Sequence, residues 1–437
     1  MNQPTPAIVA QNAVRRLPRP ALWLFCLAYV LPGFIGREPW KSADMTAFGY
    51  MQALARGVGS GFSGVRSGGD WFNPQLMGIA PATDALLPYW LGAWAMQWAP
   101  GWVSPDFAAR VPFGLLLALT LAATWYGTYY LALSPKAQPL RFAFGGEASA
   151  PDYARAIADG ALLALIASLG LAQLSHETTA AAAQLCFTAL SFYAFAALPL
   201  RSITPAIAGM VGLLGLALSG APALAAILGG GSVLIQLFDT RERSGDASTE
   251  RLNGGEAQSL ARHAAVLWWV ALVTVGVAIL ASYLDLWRWR LEWPPSEAGH
   301  WRGMARLLIW FTWPAWPLAL WTLYRWRRQL LQLLRGNPSR HLALPLLFVG
   351  VALGNTLLTG AGDRALLLAL PALAALAALL CRPWDAPCRR WWIGSHCCFL
   401  RAARSPYGWY GSPCKPAFHR NRPPTWCGWR QVLFTAS

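Results

Sequence analysis

The sequence predicts an all-α polytopic membrane protein with about ten transmembrane helices and with interfacial helices in its first external loop. Hydrophobic residues make up 56% of the 437 residues, and charged residues only 12%. Apolar stretches recur along the chain, and each is about as long as the roughly 20 residues that cross a ~30 Å hydrocarbon core. The stretches are continuously apolar and do not alternate, which predicts helices and excludes a closed barrel.

The predicted spans begin directly behind a basic N-terminus. After Arg15, Arg16 and Arg19 the first apolar run continues to Ile35 without a small-residue cleavage site, so we expect a retained first span and no cleaved signal. The chain then divides into a cytoplasmic N-terminus (1–19), a transmembrane domain (20–381) and a tail (382–437). The predicted spans lie at 20–36, 108–133, 158–174, 178–199, 203–219, 221–238, 264–285, 304–324, 342–359 and 365–381.

The basic residues predict how these spans are oriented. The formal net charge is +16, but the charges lie in short loops between spans and not on one face, which excludes a nucleic-acid partner. The N-terminus and the loops at 134–157, 239–263 and 325–341 are rich in Lys and Arg. Ten spans place all of them on one side, and the positive-inside rule makes that side the cytoplasm. The segment 286–306 is external by this count although it holds four arginines.

The first external segment, 37–107, contains two short amphipathic stretches. Residues 44–56 place Met45, Phe48, Met51 and Ala55 on one helical stripe, and residues 84–98 do the same with Leu87, Leu91, Trp94 and Trp98. Short helices with a one-sided apolar face lie in the membrane interface and do not cross it. The Gly- and Ser-rich stretch 57–69 between them is predicted to be a loop.

The tail at 382–437 differs in composition from the rest of the chain. It holds eight Arg, seven Pro, six Trp and five Cys but only two Leu. This composition indicates a GC-rich gene translated out of frame from near residue 381, and the alternative is a genuine basic cytoplasmic tail. Its cysteines and histidines fit no paired metal-binding spacing. Cys26 and Cys186 lie in apolar spans and are expected to be buried.

Two acidic residues on the external side are candidate catalytic residues. Asp44 begins the first interfacial stretch, where the alternative is an ordinary helix N-cap, and Glu177 lies in a short turn between two spans, where the alternative is a solvated turn. Two carboxylates at one membrane surface suit general-base chemistry on an acceptor hydroxyl. Arg110 and Arg364, at the outer ends of two spans, would bind an anionic headgroup, or would snorkel to the interface.

Short motifs in the same order and spacing resemble the family-39-like membrane glycosyltransferases. That family includes bacterial aminoarabinose transferases and is related to protein O-mannosyltransferases. The resemblance covers about 20–380 and rests on these segments: Asp44-Met45-Thr46-Ala47-Phe48, Gly69-Asp70-Trp71 with Pro74, Pro88-Tyr89-Trp90-Leu91, Ala109-Arg110-Val111-Pro112, His176-Glu177, Gly220-Ala221-Pro222, and Arg364 ahead of Leu370-Pro371. The chain departs from the family pattern at Met45, Thr83-Asp84 and Ser219.

The resemblance implies a class C glycosyltransferase fold and transfer of a sugar from a polyprenyl-phosphate donor to an acceptor hydroxyl on the periplasmic side of a bacterial inner membrane. The acceptor would be a lipid, a glycan or a protein. Asp44 would be the base, and Glu177 would orient the acceptor or a divalent metal ion; no other cofactor is implied. Arg110 and Arg364 would neutralise the departing phosphate. Asp84 is a second candidate for the task of Glu177, and His176 is counted with the substrate-binding residues.

Two other functions remain open at this point. A non-enzymatic carrier or flippase of a lipid-linked saccharide would use the same basic external residues, and an inactive membrane relative would tolerate the departures from the family motifs. Replacing the Asp44 carboxylate by an amide separates the first of these from an enzyme, because a flippase needs no general base.

Overall fold

The structure is a computed structural model. The structure describes residues 11, 14, 17–36, 38–39, 41–57, 71–81, 83–139, 147–247, 254–287, 298–334, 339–359 and 362–379. Side chains are described in the same ranges except at 239–247, 254–264 and 334. The tail 382–437 and most of the predicted loop 57–69 lie outside these residues, so the hypothesis of an out-of-frame tail stays untested.

Within the described ranges the chain folds into helices, with one isolated β-bridge between Leu76 and Ile79. The helices are α1 Arg19–Phe34, α2 Ser42–Arg56, α3 Leu87–Trp98, α4 Pro105–Ala132, α5 Ala150–Ile166, α6 Leu169–Leu174, α7 Ala180–Ala197, α8 Ile203–Leu218, α9 Pro222–Ala247, α10 Gly254–Tyr283, α11 Ala298–Phe311, α12 Ala315–Arg325, α13 Arg327–Leu334, α14 Arg340–Leu358, α15 Gly362–Leu367 and α16 Leu370–Ala378.

Several of these helices are suited to a bilayer. In the described part of the chain four helical segments are long and apolar enough to cross it, namely α4, α7, residues 265–283 of α10, and α14; α1, α8 and residues 222–238 of α9 are apolar but shorter. In the apolar window of α7, 89% of the residues are buried inside the protein, against 22% in that of α10. The protein is therefore an all-helical polytopic membrane protein with α7 at its centre, and the number of ten crossings stays a prediction.

Three predicted spans are interrupted, which the apolar pattern did not reveal. The segment 158–174 divides into α5 and α6, 304–324 into α11 and α12, and 365–381 into α15 and α16. Each of the three was predicted as one uninterrupted span, and that expectation was wrong. Two of the breaks meet, because the backbone N–H of Leu169 donates to the carbonyl of Trp313 over 3.0 Å. A backbone N–H or C=O that has no hydrogen bond within its own helix needs such a partner inside a membrane, because lipid offers none.

Glycines allow the neighbours of α7 to approach it closely. A Cβ added at Gly127 of α4 or at Gly215 of α8 would meet Phe192 or Phe187 of α7, and one at Gly212 would meet the backbone of Ser191. Small residues at helix contacts are typical of membrane bundles, where close van der Waals packing replaces the hydrophobic effect. This packing fixes α7, and with it the turn at its N-terminus.

The two predicted interfacial stretches form α2 and α3, which pack against each other. Met51 lies against Gly92, and the rings of Tyr50 and Tyr89 are 5.4 Å apart. The buried face of α2 is Asp44, Ala47, Tyr50, Met51 and Leu54, so the predicted stripe shares only Met51 with it. On α3, Trp94 and Trp98 of the predicted stripe are exposed, and this aromatic face is therefore available to lipid.

Candidate functional site

The carboxylate of Asp44 does not cap its own helix. Lys41 is the N-cap of α2, without a side-chain cap bond, and Asp44 lies in the first helical turn. The N-cap alternative for Asp44 is therefore wrong, although an acid in this turn still complements the helix dipole. Its Oδ1 accepts hydrogen bonds from the backbone N–H of Thr178 over 2.7 Å and from the Thr178 hydroxyl over 2.5 Å.

The other oxygen of Asp44 faces Arg110. The guanidinium Nη2 lies 3.5 Å from Oδ2, and both side chains are 1% exposed. Arg110 belongs to the second turn of α4, beyond Pro105, and points into the protein. The snorkelling alternative for Arg110 is therefore wrong. A buried charge persists when it is paired, and here each member of the pair is the other's counter-ion.

Glu177 lies in the turn between α6 and α7 and is also buried. Its side chain is 3% exposed, so the alternative of a solvated turn is wrong. Its Oε1 accepts from the Lys41 ammonium over 2.7 Å, and its Oε2 from Nη2 of Arg364 over 3.3 Å. Because Thr178 directly follows Glu177 and binds Asp44, the two predicted carboxylates lie at the same turn.

Lys41 was missed by sequence analysis. Its ammonium also donates to the carbonyl of Gln173 over 3.0 Å, at the end of α6. Its spacing could have indicated it, because Lys41 precedes Asp44 by about one helical turn and both residues therefore lie at the start of α2. The ammonium places the start of α2 against the Glu177 turn from one side, while Arg364 approaches from the other.

Arg364 belongs to α15, the short helix that follows α14. Its side chain is 37% exposed, the most open of the charged groups in contact with Glu177. The Nε of Arg364 is buried and has no hydrogen-bond partner among the described residues. The guanidinium therefore keeps capacity for a further acceptor.

His176 connects α1 to the Glu177 turn. Its Nδ1 is 3.1 Å from the Ser175 hydroxyl, and its Nε2 is 3.0 Å from the carbonyl of Tyr29. The ring packs against Tyr29 and Phe34 with centroid distances of 5.4 and 5.2 Å. Both ring nitrogens thus contact the protein itself, and the expected role of His176 in substrate binding stays a prediction.

Asp84 lies in a different neighbourhood, before α3. Its backbone packs on the turn at Gly220, a glycine with φ of +84°, and Leu86 N–H donates to the Leu218 carbonyl over 2.8 Å. Asp84 also acts on Tyr89: burial raises the pKa of Tyr89 to about 12, a hydrogen bond to Thr83 opposes this, and the nearby Tyr50 and Asp84 add to it. The motif residues Gly69 and Asp70 lie outside the described residues.

The donor set around Glu177 does not fit a divalent cation. Both carboxylate oxygens already accept from cationic side chains. In the part of the chain that the structure describes, no three His, Cys, Asp or Glu side chains gather into a metal-binding group. The ligands that hard divalent ions prefer are several unengaged oxygen atoms. No step of the chemistry is therefore assigned to an ion bound at Glu177.

Comparison with known proteins shows the fold. No protein-family model and no curated protein matches the sequence. The crystal structure of ArnT from Cupriavidus metallidurans in the apo state is similar with a TM-score of 0.51 at 12% sequence identity, over 88% of this chain and 62% of that one. The structure of ArnT bound to undecaprenyl phosphate gives 0.49 at 14% identity, over 88% and 63%. This chain therefore spans less than two thirds of the length of ArnT, and the first comparison shows that it has an ArnT-like polytopic fold.

Proposed function

We propose that the protein is a membrane glycosyltransferase that moves a sugar from a polyprenyl-phosphate donor to an acceptor hydroxyl. The observation that carries the proposal is the meeting of Asp44 and Glu177, which are far apart in sequence, at one turn with three cationic side chains. Carboxylates supply a base, and arginine and lysine supply the counter-ions of a phosphate. The ArnT-like fold supports the glycosyltransferase class of the proposal.

In the proposed reaction, Asp44 takes the proton of the acceptor hydroxyl while the acceptor oxygen bonds to the anomeric carbon. The bond between that carbon and the phosphate oxygen breaks, and its electron pair leaves with the phosphate. Protonation of Asp44 removes the negative charge that Arg110 faces. The positive charge of Arg110 then stabilises the departing phosphate, which carries more negative charge than the donor did. Arg364, the open cation, contacts the phosphate directly, and Glu177 orients the acceptor.

We further propose that this end of the protein faces the periplasm of a bacterial inner membrane and that the N-terminus is cytoplasmic. Two sets of contacts support this arrangement. Gln11 and Leu17 bond to Asp152 and Asp159, so the N-terminus and the basic loop before α5 gather at one end. Arg340, which follows another basic loop, donates to the carbonyls of Phe195 and Ala196 at the C-terminus of α7, opposite Glu177.

The test is sugar transfer from a polyprenyl-phosphate sugar in detergent or liposomes. We expect Asp44→Asn to slow transfer by ~10²–10⁴-fold per folded molecule, the usual contribution of a general base. Glu177→Gln should impair transfer less, and Arg364→Ala should raise the KM for the donor. Folding is monitored in parallel by size-exclusion chromatography. Parent-level transfer by the folded Asp44→Asn protein contradicts the mechanism, and lipid translocation that survives this change indicates a flippase.

A further inference from the structure

Glu177 lies between two cations that are more open than it is. The side chains of Lys41 and Arg364 are 23% and 37% exposed, whereas Glu177 beneath them is 3% exposed. An anion that enters this site from outside therefore meets Lys41 and Arg364 before it meets the carboxylate. The two cations form the accessible part of the cluster, since Arg110 and Asp44 are 1% exposed and pair with each other.

The two cations of this group match the charge and chemistry of a phosphate. Lys41, Arg364 and Glu177 together carry one net positive charge, and a phosphodiester carries one negative charge. Carboxylate and phosphate oxygens are the same kind of acceptor for lysine and arginine. The Arg364 contact is also long: Nη2 lies 3.3 Å from Oε2 of Glu177, against the usual 2.7–2.9 Å of a charge-assisted bond, and the side chain is 37% exposed.

We infer that Glu177 acts as an internal stand-in for a phosphate, and that the phosphate group of the donor must displace it from Lys41 and Arg364 in order to bind. The inference rests on the proposed function and adds an order of events to it. While Glu177 is paired with both cations, its carboxylate occupies them and is itself buried. When the phosphate takes over the cations, the carboxylate of Glu177 becomes free to accept a hydrogen bond from the acceptor hydroxyl. Donor binding thus precedes acceptor activation.

An internal competitor lowers the apparent affinity for the external ligand. If the open state is populated below about 10%, apparent binding is weakened at least about tenfold relative to the open state. Removing the charge of Glu177 should therefore tighten phosphate binding while it impairs transfer. A carboxylate that merely stabilised the site, or that bound the donor itself, would weaken binding when replaced.

The experiment measures the binding of farnesyl phosphate, and separately of inorganic phosphate, to the full-length protein in detergent by tryptophan fluorescence. For Glu177→Gln we expect affinity about tenfold or more above the parent. For Lys41→Gln we expect affinity about ten- to a hundredfold below it, since a charge-assisted bond is lost, and for Lys41→Arg a value near the parent. Glu38→Gln is the matched control, because it removes the same charge from an exposed position of the same external segment.

Each outcome either supports or overturns the proposed displacement of Glu177 by phosphate. Tighter binding by Glu177→Gln but not by Glu38→Gln supports the displacement of Glu177 by phosphate. If farnesyl phosphate and inorganic phosphate both bind more tightly, the site recognises the phosphate group itself. If only farnesyl phosphate does, the site also needs the lipid chain. Unchanged or weaker binding by a folded Glu177→Gln protein overturns the displacement, as does equal tightening in the control. The proposed function is tested separately, by sugar transfer from a sugar donor with the parent protein. A negative result in that assay does not depend on the phosphate affinities measured here.

Discussion

The carboxylate of Asp44 and the guanidinium of Arg110 form an ion pair at 3.5 Å in which both side chains are 1% exposed. The pair joins α2 to α4, a helix long and apolar enough to cross the membrane. Charged groups this deeply buried are strongly coupled, because the loss of either one removes an ion-pair contact of the other.

The pair predicts a large stability effect of Asp44→Asn. The asparagine oxygen keeps the hydrogen bonds from Thr178, but its NH₂ group then faces Arg110 and the arginine charge loses its ion-pair partner. Breaking a buried ion pair costs about 3–5 kcal/mol, so we expect the folded state to be weakened by an amount of this order. The measurement is thermal denaturation in detergent, compared with the parent.

The double variant Asp44→Asn/Arg110→Met separates this effect from a general loss of packing. Removing both charges should recover a large part of the stability lost in Asp44→Asn, because no buried charge is left unpaired. Strictly additive losses in the two single variants and the double variant would show that Asp44 and Arg110 are not coupled.

Thr178→Val tests how Asp44 is held. Valine keeps the shape of threonine and its backbone N–H but removes the hydroxyl that donates to Oδ1 over 2.5 Å. We expect kcat for sugar transfer to fall roughly tenfold, since a charge-assisted hydrogen bond that orients the carboxylate is lost. The KM for the donor should stay at the parent value. The matched control is Thr179→Val at the next residue, the N-cap of α7, whose side chain makes no cap hydrogen bond. An equal loss of kcat there would mean that the turn as a whole is perturbed.

Gly33→Ala tests the contact between α1 and the turn that carries Glu177. A Cβ at Gly33 would overlap the imidazole of His176, which both hydrogen bonds and ring contacts hold in place. We expect a lower denaturation temperature, even though alanine is otherwise preferred over glycine in a helix by about 1 kcal/mol. Gly114→Ala in α4 is the control, because its Cβ would lie 3.6 Å from Phe34, an ordinary contact. The contact is refuted if both variants have parent-like stability.

Serine-to-cysteine changes at opposite ends test the orientation. Ser104 precedes α4 at the end that carries the Asp44 site, Ser202 precedes α8 at the other end, and both are exposed. With an impermeant thiol reagent on intact cells, Ser104→Cys should be labelled above the baseline of the eight native cysteines. Ser202→Cys should be labelled only after permeabilisation. The reverse pattern would invert the proposed topology.

Sequence reasoning located the apolar helices because membrane insertion depends on the composition of a whole segment. Seven of the ten predicted spans correspond to single helices, and for most of them the predicted and observed ends agree within about one helical turn. The exceptions are α9 and α10, which both extend into the predicted basic loop 239–263. The interruptions at 167–168, 312–314 and 368–369 were not predicted because each is only two or three residues long and the apolar run continues on both sides of it. What stabilises these breaks is partners elsewhere in the chain, such as the Trp313 carbonyl for Leu169, and a local pattern carries no record of such partners.

The candidate site was found only in outline. Asp44, Arg110, Glu177 and Arg364 were singled out, and the structure brings all four to the turn before α7. The burial of Asp44, Arg110 and Glu177 was not predicted, since each was assigned to an external surface. Lys41 was missed because a lysine in a loop is usually a solvated charge, and only the fold places its ammonium on Glu177.

The hydrogen bond between Leu169 and Trp313 has a consequence for biosynthesis. The N–H of Leu169 leaves the ribosome well over a hundred residues before the carbonyl that accepts its proton. Inside lipid a donor without an acceptor costs several kcal/mol, so the α5–α6 segment is not complete as an independently inserted unit. Its final position is reached only after α11 and α12 are made, and the Glu177 turn, which follows α6 directly, is complete only later still, when Arg364 of α15 is made.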